Sequence, residues 1–420
     1  MTPSPLPAGT DPLDGATVLA RLQALAALTD VPGEMTRLSL SPAHKVAALQ
    51  VAEWFRAAGL EQVHIDATGS VTGRHVAGAP GASTLILGSH IDTVRNAGIY
   101  DGNLGVLVAL AAVEALAGRR LPFHVDVVAF ADEEGVRFPS TLTSSRALAG
   151  TFDPACLDHR DADGITRRAA LAAFGAPPPE SIPSLARDPA GTLGYVEVHI
   201  EQGPVLDAQG LPLGIVTGIA GASRATLRLY GEAGHSGTLP MAMRRDALAA
   251  AAECVLMVEA IGRRDAAPSG LVATVGMLEV PGAAVNVVPG EVRLSIDVRS
   301  PDDAVRKAAV ADLSREIAAI AARRGIACDL QWGHEAPAAP CDPALQERLA
   351  AAVRRLGLPD FRLPSGAGHD AMVFRGVLPM AMLFVRSQNG SHNPREHAHP
   401  QDIGLAARAL YEMLTAWDAH

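Results

Sequence analysis

A chain of 420 residues is longer than one hydrophobic core ordinarily serves, so its length predicts two domains. Hydrophobic residues make up 48% of the sequence and charged residues 19%, a balance typical of globular proteins and not of disordered chains. Because the net charge is −10 and there is no basic tract or apolar run of membrane-spanning length, we expect neither nucleic acid nor membranes as partners.

The predicted secondary structure begins with two helices and two short strands and then reaches a strongly patterned segment. These elements are helices at 14–28 and 41–58, strands at 63–66, 71–74 and 83–87, and a helix at 105–118. His90 and Asp92 follow the last of these strands, and Asp101 precedes the helix, at the edge where open α/β sheets bind ligands. The spacing suggests a metal ligand, its orienting carboxylate and a further ligand, although a lone His-x-Asp pair is also common as a surface hydrogen bond.

Two further strands end in acidic residues or histidine. The strand predicted at 123–130 leads into Glu133 and Glu134, for which a solvated acidic loop is the alternative. The next strand-like run alternates apolar and polar residues, which places three polar side chains on one face: Glu197, His199 and Glu201. For His199 the alternative is a core histidine paired with a carboxylate.

The pattern changes near residues 217–221, where we place a domain boundary. The next segment predicts a strand, a long helix, two strands, a second helix and a strand, at 223–231, 241–263, 271–280, 291–299, 301–324 and 327–332. This βαββαβ order is the ferredoxin-like split unit, whose exposed sheet edge can be covered by dimer pairing. The predicted fold is α/β, with a mixed-sheet catalytic domain formed by residues 1–219 and 333–420 and an inserted lid or dimerisation domain at 220–332.

The last part of the chain returns to the first domain. Its predicted elements are a helix at 343–356, a helix opened by the glycine-rich loop at 363–371, a strand at 380–385 and a final helix at 401–417. His392 follows the strand. The glycine-rich loop contains His369 and Asp370. Three residues beyond His392 resemble a metal cluster but are interpreted as a solvated approach to the final helix: Glu396, His397 and His399.

Four separate strand ends therefore supply imidazole or carboxylate groups: His90 with Asp101, Glu133 with Glu134, His199, and His392. This donor set suits Zn²⁺, Mn²⁺, Co²⁺ or Ni²⁺, with zinc as the default. Five ligands are too many for one tetrahedral site with an open position, and they fit two metal ions that share one carboxylate. One acidic residue is then left over.

The chain resembles the binuclear metallohydrolases of the aminoacylase and carboxypeptidase clan. More narrowly it resembles the hydantoinase/carbamoylase branch, which includes N-carbamoyl-L-amino-acid hydrolases and allantoate amidohydrolases. The resemblance covers essentially the whole chain and is carried by an ordered set of motifs: Gly-Ser-His-Ile-Asp-Thr-Val (88–94), Tyr-Asp-Gly-Asn-Leu-Gly (100–105), Asp-Glu-Glu-Gly-Val-Arg-Phe (132–138), His-Ile-Glu-Gln-Gly-Pro (199–204), Gly-Glu-Ala-Gly-His-Ser-Gly (231–237), Val-Asn-Val-Val-Pro (285–289), Asp-Val-Arg (297–299) and Ser-His-Asn-Pro (391–394). Each motif alone is weak, whereas the ordered set is highly specific.

The resemblance implies a metallopeptidase-like catalytic domain with two divalent metal ions in each subunit. Asp101 would bridge the ions, with two ligands completing each site: His90 and His199 at one, Glu134 and His392 at the other. Glu133 would be the general base, which takes a proton from the attacking water and passes it to the leaving nitrogen. Asp92 would hold the ring of His90 in place. The family places the glycine-rich loop near the substrate, so His369 and Asp370 are candidates to support the site, with helix capping by Asp370 as an equal alternative.

The substrate implied by the resemblance is a ureido acid, hydrolysed with release of carbon dioxide and ammonia. Its carbonyl is a poor electrophile because two nitrogens donate into it, so metal ions would assist by polarising the oxygen and activating water. Arg299 would bind the substrate carboxylate with Asn286 beside it, and Gln202 would contact the ureido group. Arg299 and Asn286 lie in the inserted domain, so closure of that domain would complete the site and exclude water.

His235 lies in a glycine-flanked loop, where a solvated turn residue is the simplest interpretation. In the family the matching histidine reaches the oxyanion from the neighbouring subunit. The resemblance therefore implies a homodimer in which each chain supplies His235 to the site of its partner.

Two other functions remain open. A dipeptidase or N-acyl-amino-acid deacylase of the same clan would keep the metal ions and change the substrate, although Gln202 and its Glu-Gln-Gly-Pro context argue against it. A small-molecule binding protein on this fold would be expected to have lost the base or the bridging ligand, whereas Glu133 and Asp101 are both present. The sequence does not distinguish allantoate from an N-carbamoyl-amino acid.

The four cysteines, at Cys156, Cys254, Cys328 and Cys341, are scattered without paired spacing. Such cysteines are typical of reducing compartments, where they act as small buried hydrophobic residues. We therefore expect a cytoplasmic protein whose cysteines are buried, unpaired and not metal ligands.

Overall fold

The computed structural model describes residues 11–79 and 81–417. Its helices are α1 Gly15–Ala26, α2 Pro42–Ala57, α3 Asn103–Glu114, α4 Thr143–Leu148, α5 Arg167–Phe174, α6 Val205–Gln209, α7 Ala247–Ser269, α8 Asp303–Arg324, α9 Pro343–Arg355 and α10 Pro400–Thr415. Its strands are β1 Glu61–Ile65, β2 Val71–His75, β3 Thr84–His90, β4 His124–Phe130, β5 Thr192–Ile200, β6 Leu213–Ile219, β7 Gly221–Tyr230, β8 Gly234–His235, β9 Val272–Thr274, β10 Leu278–Glu279, β11 Val287–Val288, β12 Glu291–Ser300, β13 Ala327–Ala336, β14 Ala339–Pro340, β15 Arg362–Ser365 and β16 Met380–Val385.

The chain divides into two compact units. The first contains Met1–Thr217, Cys341–Leu363 and Gly368–His420, and the second contains Gly218–Pro340 and Pro364–Ala367. The predicted segment 220–332 thus lies within the second unit, which extends further at both ends and includes part of the glycine-rich loop.

The first unit is built on a mixed sheet with strand order β1-β2-β4-β3-β5-β16-β6. Strand β3 pairs in parallel with β4 and with β5, and β5 pairs in parallel with β16. The outer strands β1, β2 and β6 run antiparallel to their neighbours. Since the four central strands run in the same direction, their carboxyl ends meet at one edge of the sheet.

The central helix α3 explains why this part of the sequence is so poor in polar residues. Every residue from Asn103 to Val113 is buried, because α3 packs on β3, β4 and β5 and is also contacted by α1 and α10. Strands β3 and β4 are buried along almost their whole length. Continuous runs of Val, Leu and Ala are what a sheet covered on both faces requires.

The second unit has an antiparallel sheet in which β7 lies between β12 and β13, while β9 and β10 pair with β12. Along β7 the side chains alternate, with Leu227 and Leu229 buried and Arg228 exposed. Helices α7 and α8 pack against β7 and β12 and form a separate hydrophobic core with them. The interpretation of this unit as a ferredoxin-like lid or dimerisation domain stays a prediction.

The helix predicted at 241–263 is shifted to Ala247–Ser269, behind a short 3₁₀ helix at Met241–Met243. Two further predicted elements take a different form. The strand predicted at 271–280 is divided into β9 and β10, which pair with different parts of β12. The helix predicted to follow the glycine-rich loop does not form: the loop begins as strand β15 and continues into one short 3₁₀ helix, Asp370–Phe374. The composition of the glycine-rich loop fits a loop and a helix start equally. Pairing of β15 with β6 holds its first residues in an extended conformation, which excludes a helix there.

Cys156, Cys254 and Cys341 are buried and unpaired, as expected, whereas Cys328 is exposed on the edge strand β13. The expectation of burial was wrong for Cys328, because β13 has a partner strand on one side alone among the described residues. In the described part of the chain, no helix has the length and apolar character needed to span a membrane.

Candidate metal centre

The carboxyl ends of four parallel strands carry the histidines and acids singled out from the sequence. His90 is the last residue of β3, and His199 is the next-to-last residue of β5. Glu133 and Glu134 follow β4 within a few residues, and His392 lies in the segment after β16.

The Asp101 carboxylate, just before α3, lies between two groups of these side chains. Its Oδ1 atom is 3.5 Å from Nε2 of His90 and 3.2 Å from Nε2 of His199. Its Oδ2 atom is 3.4 Å from Nε2 of His392, which in turn is 3.5 Å from Oε2 of Glu134. The structure therefore brings together all five predicted ligands. One oxygen of Asp101 faces His90 and His199, and the other faces His392 and Glu134.

These residues fit divalent metal ions by their chemistry. In the group of His90, Asp101 and His199, and in the group of Asp101, Glu134 and His392, the donor atoms all lie within 4.8 Å of one another. The second carboxylate oxygen of Glu134, Oε1, is buried and makes no hydrogen bond within the described residues. A buried carboxylate oxygen without a partner is costly unless a cation or a proton satisfies it.

The charges in this cluster are strongly coupled. Burial alone would lower the pKa of His90, but its contacts with Asp101 and Asp92 outweigh burial and raise the pKa well above its usual range. Burial alone would raise the pKa of Asp101, but contacts with His199, His392 and His90 hold the pKa well below its usual range. Positive charge is therefore strongly favoured around the Asp101 carboxylate.

Asp92 supports the cluster through the backbone as well as through the His90 ring. The ring Nδ1 of His90 lies 3.0 Å from the backbone carbonyl of Asp92 and 3.6 Å from its carboxylate. That carboxylate accepts the backbone N–H of Glu133 at 3.0 Å and of Glu134 at 3.2 Å. Asp92 thus links the segment after β3 to the segment after β4.

Glu133 lies half-buried beside His90 and Glu134. Burial, reinforced by the neighbouring carboxylate of Glu134, raises the pKa of Glu133 well above its usual range despite the opposing effect of His90. A carboxylate with a raised pKa is a stronger base than an ordinary carboxylate, which suits it to accept a proton.

Gln202 and His369 also lie at this cluster. Gln202 has a positive φ of 62° and donates through Nε2 to Oδ2 of Asp101 at 2.8 Å. His369 is buried, with its ring edge-on to His199 at a centroid distance of 4.5 Å. The alternative of helix capping by Asp370 is wrong, because His369 occupies the cap position of the 3₁₀ helix without a side-chain cap bond.

Glu201, the third polar residue predicted to share a face with His199, has a structural role. Its carboxylate accepts the N–H groups of Val205 and Leu206 at the start of α6.

The other predicted site residues belong to the second unit. Arg299 donates to both carboxylate oxygens of Asp297, at 2.9 and 3.1 Å, and to the carbonyl of Gly366 at 2.8 Å. His235 is exposed, and its strand β8 pairs with β11. The backbone carbonyl of Asn286, which precedes β11, accepts the N–H of Ser236 at 2.9 Å. His235 and Asn286 are therefore near each other in the fold.

Glu396 was misassigned from the sequence. It was interpreted as solvated, but its side chain is buried, with 5% exposure, whereas His397 and His399 are half-buried. Burial, with a further contribution from Asp101, raises the pKa of Glu396 to about 7. No local pattern in the sequence distinguishes Glu396 from a solvated residue.

Arg37 is a second supporting residue that the sequence did not reveal. Its fully buried guanidinium donates to the carbonyls of Leu25, Leu28 and Ile91 and to the side chain of Asn103. Burial lowers the pKa of Arg37 to about 10. Since Asn103 in turn donates to the Asp101 carbonyl at 3.0 Å, Arg37 braces both loops that carry His90 and Asp101.

Comparisons with known proteins agree with this architecture. The sequence profile of Peptidase family M20/M25/M40 matches residues 86–416. An allantoate deiminase from Arabidopsis thaliana is 38% identical, over 94% of this chain and 81% of that protein. An N-carbamoyl-L-amino acid amidohydrolase from Geobacillus stearothermophilus is also 38% identical, over 96% of this chain and 98% of that protein. The crystal structure of a hydantoinase/carbamoylase family amidase from Burkholderia multivorans has a TM-score of 0.90 and 34% identity, covering 96% of this chain and 97% of that one.

The resemblance inferred from the motifs is confirmed by these matches, which extend over almost the whole chain. Family membership also removes the alternative of a binding protein without activity. The chain belongs to peptidase family M20/M25/M40 and is a hydrolase similar to the hydantoinase/carbamoylase amidases.

Proposed function

We propose that this protein is a metal-dependent amidohydrolase that cleaves the ureido C–N bond of an N-carbamoyl-L-amino acid or of allantoate. The products would be ammonia, carbon dioxide and the amine-bearing remainder of the substrate. The observation that carries the proposal is the convergence of His90, His199, His392 and Glu134 on the two oxygens of Asp101. The names of the similar proteins support the same bond type.

In the proposed centre two divalent ions, with zinc as the default and manganese, cobalt or nickel as alternatives, share Asp101. The remaining ligands divide between the two ions as the distances suggest: His90 and His199 on the Oδ1 side, Glu134 and His392 on the Oδ2 side. When bound, such ions polarise the carbonyl oxygen and make water more acidic.

Glu133 is the proposed proton carrier. Its backbone is fixed by the Asp92 carboxylate, so its side chain is held beside the ligands without a ligand role of its own. It would accept the proton that water loses on attacking the ureido carbon and donate it to the nitrogen that leaves. The raised pKa favours the first half of this transfer, because it makes Glu133 a stronger base than an ordinary carboxylate.

The proposed substrate contacts combine a cation with amides. The Arg299 fork would bind the carboxylate of the ureido acid, with Asn286 as a further contact and Gln202 at the ureido group. Asp297 supports this assignment because it holds the Arg299 guanidinium in one orientation through two hydrogen bonds. His369 is proposed to hold the ring of the ligand His199 in place, because the two rings pack against each other.

We further propose a homodimer in which His235 contacts the oxyanion in the partner's site. The exposure of His235 supports this role, as does its Nδ1, which accepts the N–H of Gly237 at 3.1 Å. With Nδ1 engaged as an acceptor, the ring proton lies on Nε2, where it can be donated to an oxyanion.

A substrate panel tests the proposed bond specificity. The enzyme, reconstituted separately with each metal, is offered N-carbamoyl-amino acids, allantoate, ureidopropionate, dipeptides and N-acetyl-amino acids, and ammonia and free amine are both measured. We expect ammonia release from at least one ureido acid. Hydrolysis confined to dipeptides or N-acyl-amino acids would instead support the dipeptidase or deacylase alternative, and a metal-loaded enzyme inert toward every ureido compound would refute the proposal.

A further inference from the structure

One buried carboxylate connects the two loops that supply Asp101 and His392. Oε1 of Glu396 accepts the backbone N–H of Tyr100 at 2.9 Å and of Asp101 at 3.1 Å. Oε2 of the same side chain lies 2.8 Å from the hydroxyl of Ser391, the residue before His392, and this hydroxyl also contacts Oδ2 of Asp101. These hydrogen bonds join a loop that precedes α3 to a loop that follows β16, although the two are almost three hundred residues apart in sequence.

The Glu396 side chain packs directly against the backbone at Gly98. A Cβ atom added to Gly98 would overlap the Glu396 carboxylate and its Cβ atom. The backbone of the Asp101 loop therefore passes directly against Glu396, and only glycine at position 98 permits the approach. The backbone hydrogen bonds and the steric fit at Gly98 independently locate Glu396 at the base of the Asp101 loop.

We propose that Glu396 is a positioning residue of the metal centre, which aligns the Asp101 and His392 loops so that their donors can share a pair of ions. The inference rests on the proposed function, because it assumes that Asp101 and His392 bind metal. Groups that hold metal ligands in place are commonly worth about 10- to 100-fold in metal affinity. One buried side chain that contacts both loops is suited to that task, because the length of Glu396 and the acceptor position of its oxygen fix the separation of the loops.

Two substitutions separate the reach of Glu396 from its charge. Glu396→Asp keeps the charge but shortens the side chain by one methylene, so one carboxylate can no longer bridge both loops. Glu396→Gln removes the charge but keeps the length and an oxygen that can accept from the N–H groups of Tyr100 and Asp101. A positioning role predicts loss in the aspartate variant and near-normal behaviour in the glutamine variant.

The measurement is zinc affinity of the full-length, chelator-stripped protein, by competition with a chromophoric chelator, together with metal content at saturation. We expect Glu396→Asp to weaken zinc binding about 10- to 100-fold and Glu396→Gln to stay within about threefold of wild type. KM and kcat for the best substrate of the panel provide a second readout at saturating zinc, where Glu396→Asp should recover most of its activity.

Glu114 provides matched controls. Like Glu396, it is a glutamate of the first unit, and it pairs with Arg21 at 2.7 Å. Glu114 is the last residue of α3, so the helix rise of 1.5 Å per residue places it about 17 Å from Asn103, at the end of the helix away from the proposed metal centre. Glu114→Asp and Glu114→Gln should leave zinc affinity unchanged. If Glu396→Asp does not fold, Gly98→Ala displaces the Glu396 carboxylate from the opposite side and should weaken zinc binding in the same way.

The possible failures are distinguishable. Wild-type affinity in Glu396→Asp and Gly98→Ala, or an equal loss in Glu396→Gln, would overturn the positioning role while a metal-loaded wild type still hydrolysed a ureido acid. A wild-type protein that bound no divalent metal would overturn the proposed function itself.

Discussion

At the scale of single residues, the proposed proton-transfer role of Glu133 can be separated from metal binding. Glu133→Gln keeps the size of the side chain but cannot accept a proton, so we expect kcat to fall about 10²- to 10⁴-fold with bound metal retained. Steady-state kinetics combined with elemental analysis test this expectation. Glu134→Gln is the matched control, because loss of a proposed ligand should lower metal content; equal metal loss in both variants would contradict the separate roles.

His44 is a buried histidine whose charge state should affect stability. It is fully buried in α2, its Nδ1 accepts the Leu40 N–H at 2.9 Å, and burial lowers its pKa from 6.5 to about 4. The unfolded chain therefore binds a proton between pH 6.5 and pH 4 that the folded chain excludes. The His44 contribution should be absent above pH 6.5 and destabilise the fold progressively as pH falls toward 4, by on the order of 3 kcal/mol.

The test is the difference in unfolding free energy between wild type and His44→Asn, measured in urea with chelator across this pH range. Asparagine keeps an acceptor for the Leu40 N–H but has no charge to gain. The wild type should lose stability relative to the variant as pH falls. A difference that remains constant from pH 7 to pH 4 would show that His44 stays neutral in both states.

At the scale of elements, α5 anchors the segment that follows β4. Arg167 of α5 pairs with buried Asp132 at 2.8 Å, donates to Ser140 and stacks over Phe138 with its Cζ atom 4.5 Å from the ring centroid. Arg167→Ala would leave Asp132 buried without its cation, which we expect to cost about 3–5 kcal/mol in urea unfolding.

Arg168 is the control for this prediction because it neighbours Arg167 on the same helix. Its pair with Glu180 is exposed, with 47% and 75% of the side chains accessible. Exposed pairs contribute little, so Arg168→Ala should change the unfolding free energy by less than about 1 kcal/mol. Similar losses in the two variants would mean that helix α5, and not the buried pair, is responsible.

The parts of the centre that sequence analysis found are those with a local signal. His90, Glu133, Glu134 and His199 each follow or end an apolar run, which marks a strand and therefore the edge of a sheet. His392 follows such a strand at a greater distance, and its assignment depended more on the family motif than on periodicity.

The parts that sequence analysis missed depend on packing between distant segments. Arg37 and Glu396 have charged side chains that are normally found on surfaces, and nothing adjacent in sequence predicts their burial. Arg37 is buried because a carbonyl near the end of α1, a carbonyl of the loop after β3 and the Asn103 side chain converge on it. Glu396 is buried because the Asp101 loop packs over it. Such partners become visible only when the chain is folded.

At the scale of the whole molecule, the proposed exchange of His235 between subunits predicts complementation. Glu133→Ala and His235→Ala chains are each expected to be nearly inactive as homodimers. A mixed dimer contains one intact site, so random equal mixing should restore about one quarter of wild-type activity.

Differently tagged chains, unfolded together and refolded, allow the mixed dimer to be isolated and assayed. The control is the same mixing with each variant alone, which should restore nothing. Isolated mixed dimers without activity would show that His235 does not act across subunits.

The long separation of the metal-binding segments has a consequence for how the protein acquires its ions. Met380 of β16 pairs with Tyr195 of β5, nearly half the chain away, and His90, at the end of β3, pairs with Phe130 of β4. The complete set of proposed ligands is therefore assembled only when these distant strands have joined one sheet. If the proposed ions bind this assembled set and not the unfolded chain, the free energy of unfolding should rise with zinc concentration by mass action.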